Sequence, residues 1–304
     1  MAGDGTTIGR LLTAMVTPFT PEGEIDYAQA RRLAVALVES GSEGLVVTGS
    51  TGEAPALSND EKVRMWSEIK EAVGDRAAII AGAGTYSTRE SVALAKEAER
   101  VGADGVMAVV PYYNKPTQEG LYLHFKAISE ATPLPLIPYN VPSRTALNMT
   151  AETTVRLSEL PSVVGVKEAS GDFDQMATIL RDVRADFRVW SGNDSDTFAL
   201  MCMGGYGIIS VAAHLIGQQI RKMISLILEG DLEAAGKEHQ RQLAIAKGLF
   251  IVSNPIPVKY GLNRAGFNVG GLRLPLVEAD APTAAFLDKL LDGYTMDLPL
   301  TVSA

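Results

Sequence analysis

Short apolar runs alternate with amphipathic segments along most of the chain. Eight runs of five to seven residues are almost continuously apolar rather than alternating. Such runs are typical of strands buried on both faces, as in a parallel sheet. The predicted strands are 11–17, 44–48, 77–82, 104–110, 134–140, 163–167, 187–192 and 207–211.

A segment with helical periodicity follows each of these strands. The second helix carries a capping signal at its start, where Ser58 is followed three residues later by Glu61. Eight consecutive β-α units predict an α/β protein of the (β/α)8 TIM-barrel class. The predicted helices are 26–40, 58–73, 88–101, 117–131, 151–160, 174–183, 195–203 and 216–228.

A doubly wound sheet is the alternative architecture, and it usually carries a glycine-rich dinucleotide turn. The nearest candidate, Gly82-Ala-Gly84, lacks the third glycine of that fingerprint. One irregularity lies inside the fifth predicted strand, where Pro138 has no N–H for the ladder and puts the regularity of the strand in doubt.

Strand signals stop near residue 230, and the rest of the chain reads as helical. We therefore expect the barrel with the active site over 1–230 and a C-terminal helical appendix over 231–304, packed on the barrel. The predicted C-terminal helices are 232–250, 257–265 and 282–291.

Composition narrows the function classes. Hydrophobic residues are 46% of the 304 residues, enough for a full core, and the net charge of −9 without basic runs argues against nucleic-acid or anionic-membrane partners. A single cysteine, Cys202, and three scattered histidines fit a reducing compartment and make a His/Cys zinc site hard to build. The N-terminus lacks a signal-peptide pattern and no stretch of 18 apolar residues exists, so we expect a cytoplasmic protein.

Residues at the carboxyl ends of the strands are the candidates for chemistry, because barrel active sites lie at that end. Lys167 ends a buried strand, where desolvation lowers an amine's pKa and favours Schiff-base formation. Tyr139 ends the preceding strand and can relay protons, while Arg144 offers a planar fork to a carboxylate. The structural alternatives are a lysine that reaches solvent, a packed tyrosine ring and a solvated arginine.

Two further loops, at the carboxyl ends of strands 2 and 4, are candidates for substrate binding or catalysis. After strand 2, Ser50 and Thr51 lie in a turn of small residues. Its backbone N–H groups and two hydroxyls either bind an anion, or the segment is only a tight connection between the strand and the next helix. Glu53 could cap the following helix or bind substrate, and we expect it to cap the helix. Tyr112 and Tyr113 form an aromatic projection after strand 4, which either packs locally or presses into a partner subunit.

The chain resembles the N-acetylneuraminate lyase/dihydrodipicolinate synthase superfamily of class I, Schiff-base aldolases, and within it the dihydrodipicolinate synthase family. The resemblance covers nearly the whole chain, from Leu12 to Pro275. Its motifs are Gly49-Ser-Thr-Gly-Glu53, Pro111-Tyr-Tyr-Asn-Lys-Pro-Thr-Gln-Glu-Gly120, Tyr139-Asn-Val-Pro-Ser-Arg144, Gly165-Val-Lys-Glu-Ala169 and Asn254-Pro-Ile-Pro-Val-Lys259.

The resemblance implies four catalytic residues. Lys167 would bind pyruvate as an imine and Tyr139 would relay protons. The relay would also use Ser50, where the family usually has threonine, and Tyr113 from a neighbouring subunit. No metal or organic cofactor is implied, and the assembly would be a homo-oligomer, a tetramer built as a dimer of dimers.

The resemblance also implies the substrate contacts. The pyruvate carboxylate would lie on the turn at Ser50 and Thr51, and Arg144 would hold the carboxylate of aspartate 4-semialdehyde. Gly192 and Ile209, at the ends of strands 7 and 8, would line the pocket. The implied activity is condensation of the two substrates to 4-hydroxy-tetrahydrodipicolinate, in lysine and diaminopimelate biosynthesis.

Two alternatives stay open at this point. A sister aldolase acting on N-acetylneuraminate or a 2-keto-3-deoxy sugar acid would use the same lysine and tyrosine, whereas Arg144 with Tyr113 fits a small amino-aldehyde acid. A catalytically silent barrel that acts as a binding protein is the other alternative.

The resemblance also bears on feedback inhibition by the free amino acid L-lysine. We expect L-lysine to inhibit weakly or not at all, since Asn59 and Lys62 stand where sensitive bacterial relatives carry histidines.

Overall fold

The computed structural model describes residues 8–302, in which eight parallel strands close into a barrel in chain order. The predicted TIM barrel is confirmed, and every strand lies inside or within a residue or two of its predicted range. The strands are β1 Leu11–Ala14, β2 Gly44–Val47, β3 Ala78–Gly82, β4 Gly105–Val109, β5 Leu136–Asn140, β6 Gly165–Glu168, β7 Arg188–Ser191 and β8 Gly207–Ser210.

Helices surround the barrel, and the capping box of Ser58 and Glu61 at the start of α2 is present as expected. Within residues 8–302, the one α-helix without a sequence signal is the short α5, which follows β5. The helices are α1 Tyr27–Glu39, α2 Asn59–Val73, α3 Thr88–Arg100, α4 Gln118–Ser129, α5 Pro142–Thr145, α6 Ala151–Ser158, α7 Phe173–Asp182, α8 Thr197–Cys202, α9 Ala213–Glu229, α10 Leu232–Gly248, α11 Ile256–Arg264 and α12 Ala281–Leu291.

Apolar side chains form two layers. One layer fills the space between the strands and the surrounding helices, and the other fills the barrel interior, where Trp190 and Ile209 are fully buried. Burial of the strands on both faces explains their continuous apolar character. The interior is packed, so the space for chemistry lies at the mouth of the barrel.

Two strand details differ from the sequence prediction. β1 ends at Ala14 rather than near Thr17, because the Val16 N–H donates to the His214 ring and the Thr17 hydroxyl donates to the Gly52 carbonyl. Pro138 lies within a continuous β5, opposite Ala108 of β4. The doubt that Pro138 raised about this strand was therefore unfounded.

The C-terminal helices lie against the barrel. Helix α10 packs along α9, and α11 contacts both α9 and α12. The ranges 1–230 and 231–304 expected for barrel and appendix meet at Gly230, which separates α9 from α10, and their outermost residues, 1–7 and 303–304, lie outside the described part.

Candidate active site

A cavity of about 530 Å³ opens at the carboxyl ends of the strands and has Lys167 and Tyr139 in its lining. The two residues are direct neighbours in the β5–β6 ladder, so their side chains leave adjacent strands toward the same side. The Lys167 amine lies 4.2 Å from the centroid of the Tyr139 ring. Both side chains are buried, with only 4% and 5% of their residue surfaces exposed.

Burial sets the protonation of both groups. Desolvation lowers the pKa of Lys167 to about 7, an effect that the positive charge of Arg144 strengthens and the carboxylate of Asp194 opposes. Desolvation raises the pKa of Tyr139 to about 12. Near neutral pH the site therefore holds an amine with a large neutral fraction beside a protonated phenol, which is the pair that carbonyl addition requires.

Asp194 is the acidic partner of this pair, and sequence analysis did not single it out. Its carboxylate accepts hydrogen bonds from the Ser210 hydroxyl at 2.5 Å and from the N–H groups of Val211 and Ala212 at 3.1 and 3.3 Å. Burial raises the pKa of Asp194, and the hydrogen bonds and the Lys167 amine oppose that rise. The only sequence signal was a carboxylate shortly after a strand end.

The turn after β2 brings Ser50 and Thr51 to the wall of the same cavity. Thr51 is buried, and its hydroxyl oxygen accepts a hydrogen bond from the side-chain amide of Asn254 at 2.9 Å. Because this oxygen acts as an acceptor, the Thr51 hydroxyl proton stays available for an anion in the cavity.

Arg144 lies in the short helix α5 at the cavity rim and donates from Nη2 to the Asn254 carbonyl at 3.1 Å. Gly192 lines the cavity beside the lysine. A Cβ at Gly192 would lie 2.6 Å from the Ala169 Cβ and 3.2 Å from the Lys167 Cε, so glycine leaves the room that the lysine stem occupies. Ile209 has no exposed surface and belongs to the packed barrel interior rather than to the cavity lining.

Tyr113 does not join the other candidates within this chain. It is 93% exposed, its backbone has a left-handed φ of 70°, and it lines neither cavity at the barrel mouth. The neighbouring Tyr112 instead packs edge-on against Tyr86, with ring centroids 5.5 Å apart. The structure therefore brings together Lys167, Tyr139, Ser50, Thr51, Arg144 and Gly192, and leaves Tyr113 projecting into solvent.

A second cavity, of about 390 Å³, adjoins the first and shares Ser50, Tyr139 and Arg144 with it. Lys62 lines this side cavity and is only 6% exposed. Desolvation lowers the pKa of Lys62, and Glu90 opposes that effect. Lys62 therefore faces the cavity and does not point into solvent.

The expectation for Glu53 was wrong. Its side chain makes no capping hydrogen bond, because it is 2% exposed and lies 2.7 Å from the Lys259 amine. Sequence analysis also missed Phe250, Val252 and Asn254, which line the main cavity from the C-terminal region. The motif from Asn254 to Lys259 was a visible signal, but its location relative to the strands was not.

Membrane-spanning helices and clustered metal ligands are both absent from residues 8–302. No helix there is long and apolar enough to cross a membrane. Within the same residues, no cluster of three or more His, Cys, Asp or Glu side chains has the arrangement of a metal site.

Comparison with known proteins identifies the family. The sequence model of the Dihydrodipicolinate synthetase family matches residues 7–292. A 4-hydroxy-tetrahydrodipicolinate synthase of Dehalococcoides mccartyi is 55% identical over 96% of this chain and 99% of its own length. The enzyme of the same name from Moorella thermoacetica is 56% identical over 89% and 93%.

Solved structures agree with this assignment. A DHDPS from Cyanidioschyzon merolae with lysine bound has a TM-score of 0.93 at 43% identity, over 94% of this chain and 98% of that one. A chloride-inhibited dihydrodipicolinate synthase from Acinetobacter baumannii, complexed with pyruvate, has a TM-score of 0.92 at 39% identity, over 94% and 99%. The chain therefore belongs to the dihydrodipicolinate synthetase family.

Proposed function

We propose that this protein condenses pyruvate with L-aspartate 4-semialdehyde to give 4-hydroxy-tetrahydrodipicolinate. The observation that carries the proposal is the buried Lys167, whose pKa falls to about 7 beside the Tyr139 ring. The names of relatives above half identical support this reaction over cleavage of N-acetylneuraminate or a sugar acid. The proposed chemistry needs no metal or organic cofactor.

The first half of the reaction activates pyruvate. The neutral Lys167 amine attacks the ketone carbon, and the resulting carbinolamine loses water to form an imine. Tyr139 remains protonated at neutral pH and supplies the proton that the departing hydroxyl needs, with Ser50 continuing the relay. Ser50 and Thr51 hold the pyruvate carboxylate.

The second half joins the two substrates. Loss of a methyl proton to the Tyr139 relay converts the imine to an enamine, whose terminal carbon attacks the aldehyde carbon of the second substrate. This attack forms the imine again, and the aldehyde oxygen takes up a proton and becomes the hydroxyl of the product. The amine of that substrate then attacks the imine carbon and displaces Lys167, which closes the ring and regenerates the free lysine. Arg144, at the rim, holds the carboxylate of the aldehyde substrate through a charge-assisted pair.

The exposed Tyr113 supports a homo-oligomer. A tyrosine that is 93% exposed at the tip of a loop contributes to catalysis only if it enters the site of a neighbouring copy. A two-fold symmetric dimer would let each copy complete the other, and two such dimers would form the proposed tetramer. Sedimentation of a fully active monomer would contradict this part of the proposal.

Borohydride reduction in the presence of pyruvate tests the central claim. We expect one reduced adduct, at Lys167, and no adduct or turnover in the Lys167→Ala variant. An adduct at Lys115 or Lys259 would refute the assignment. A coupled assay with pyruvate and aspartate semialdehyde, run beside N-acetylneuraminate and ketodeoxygluconate, separates the synthase from a sister aldolase.

A further inference from the structure

A buried ion pair joins the C-terminal region to the turn that carries Ser50 and Thr51. We call residues Gly49–Glu53 the anion turn. The Lys259 amine lies 2.7 Å from Oε1 of Glu53, and each side chain is only 1% exposed. The proposed reaction uses neither residue, so the pair is an unexplained pair of buried charges.

The partners of the pair show that it ties several segments together. The Lys259 amine also donates to the Gly271 carbonyl at 2.6 Å and lies 4.2 Å from the centroid of the Phe19 ring. The other carboxylate oxygen of Glu53 accepts the Arg273 N–H at 3.0 Å. Glu53 is thus held by one hydrogen bond, from the Arg273 N–H, and by the close charge contact with Lys259, both from the C-terminal region.

The backbone of the anion turn needs such support. Glu53 has a φ of 58°, in the left-handed region that a residue with a side chain holds only when its surroundings impose it. The N–H groups of Gly52 and Glu53 donate back to Gly49 and Ser50, so a shift of Glu53 would move the hydroxyl-bearing residues with it.

A second contact from the same helix start acts on the anion turn. Asn254 donates to Thr51 at 2.9 Å and accepts from Arg144 at 3.1 Å, which links the proposed sites of the two carboxylates. Asn254 and Lys259 belong to one motif and stand at the beginning of α11. The C-terminal region therefore holds the anion turn at two points.

We propose that Lys259 is a positioning residue, which through Glu53 fixes the anion turn in the geometry that binds the pyruvate carboxylate. This inference rests on the proposed function, because pyruvate is the ligand that it places there. The Lys259 charge draws the Glu53 carboxylate toward the C-terminal region, whereas an apolar pair of similar volume would preserve the packing without this attraction.

The test compares Lys259→Met and Glu53→Gln with a control at the opposite end of the barrel. The control is Lys70→Met, which removes the amine of an ion pair that joins α2 to Asp104 at 3.0 Å, before β4. For each variant we would measure the pyruvate concentration that gives half-maximal borohydride trapping, the KM for aspartate semialdehyde and the Tm.

We expect Lys259→Met and Glu53→Gln to raise the half-saturating pyruvate concentration about 10- to 100-fold, the range that a displacement near 1 Å produces. The KM for the aldehyde should change little. Lys70→Met should lower the Tm without moving the pyruvate value. An unchanged pyruvate value in folded Lys259→Met, or an equal rise in Lys70→Met, would overturn the inference.

If Lys259→Met does not fold, the Glu53→Gln/Lys259→Met double variant carries the test, because it leaves no unpaired buried charge. A raised pyruvate value in that variant supports the positioning role, and a wild-type value refutes it. Failure of the proposed function is distinguishable, because it appears in the wild-type protein itself, either as no adduct with pyruvate or as an adduct without turnover of aspartate semialdehyde in the coupled assay.

Discussion

The protonation of Lys167 predicts how imine formation depends on pH. An ordinary lysine has a pKa of 10.5, whereas burial lowers that of Lys167 to about 7. At pH 7 about half of the Lys167 amine is neutral, which is roughly a thousandfold more than an exposed lysine would supply. The rate of imine formation should therefore rise through pH 7 and level off about one unit above it.

The two charges near Lys167 allow a test with opposite signs. Arg144 lowers the pKa of the amine, so Arg144→Ala should move the midpoint of the profile to higher pH. Asp194 raises it, so Asp194→Asn should move the midpoint to lower pH. One pKa unit corresponds to about 1.4 kcal/mol, which is of the order that a nearby, partly screened charge produces.

The assay is single-turnover trapping with pyruvate and borohydride from pH 5.5 to 9.5, with the adduct at Lys167 quantified by mass spectrometry. The two variants serve as controls for each other, because general damage to the site would lower the rate at every pH without separating the midpoints. A wild-type midpoint near that of a free lysine would refute the reasoning, as would displacement of both variants in the same direction.

Three further predictions follow from the same structure. Arg144→Ala should leave pyruvate trapping at high pH intact but raise the KM for aspartate semialdehyde about tenfold or more, since a charged hydrogen bond contributes about 1.5–3 kcal/mol. A loss of pyruvate binding with an unchanged KM for the aldehyde would show that Arg144 does not hold the carboxylate of the aldehyde substrate. L-Lysine should inhibit weakly or not at all, because Lys62 places an amine in the side cavity. At an effective dielectric near 20, that amine and an amine of the inhibitor 4–6 Å away would repel by roughly 3–4 kcal/mol. Half-inhibition well below about 1 mM would contradict this, and Lys62→Gln should increase the sensitivity to L-lysine. Burial lowers the pKa of His214 to about 4, whereas in the unfolded chain this histidine takes up a proton below about pH 6.5. The free energy of unfolding should therefore fall by up to about 3 kcal/mol as the pH falls from 6.5 to 4. If the His214→Gln variant loses as much thermal stability over this range as the wild type, the assignment to His214 is refuted.

The hydrophobic pattern was sufficient for the barrel because strands buried on both faces must be apolar throughout. It also located Lys167 and Tyr139, since a polar residue at the end of such a strand lies at the mouth of the barrel. Pro138 shows a limit of local rules: a proline suggests a break, yet β5 continues through it. Helix α5 gave no signal because four residues are too few for a period.

By itself, the sequence determined the order of elements, the family and the side chains that can form an imine, because these depend on local periodicity and on motifs of adjacent residues. Only the tertiary structure decided which distant groups act on them. Asn254 contacts Thr51 across 203 positions, and Glu53 pairs with Lys259 instead of capping a helix. The pKa of Lys167 likewise depends on its burial and on the charges of Asp194 and Arg144. The closed barrel brings these charges near the lysine, and no local sequence pattern encodes that proximity.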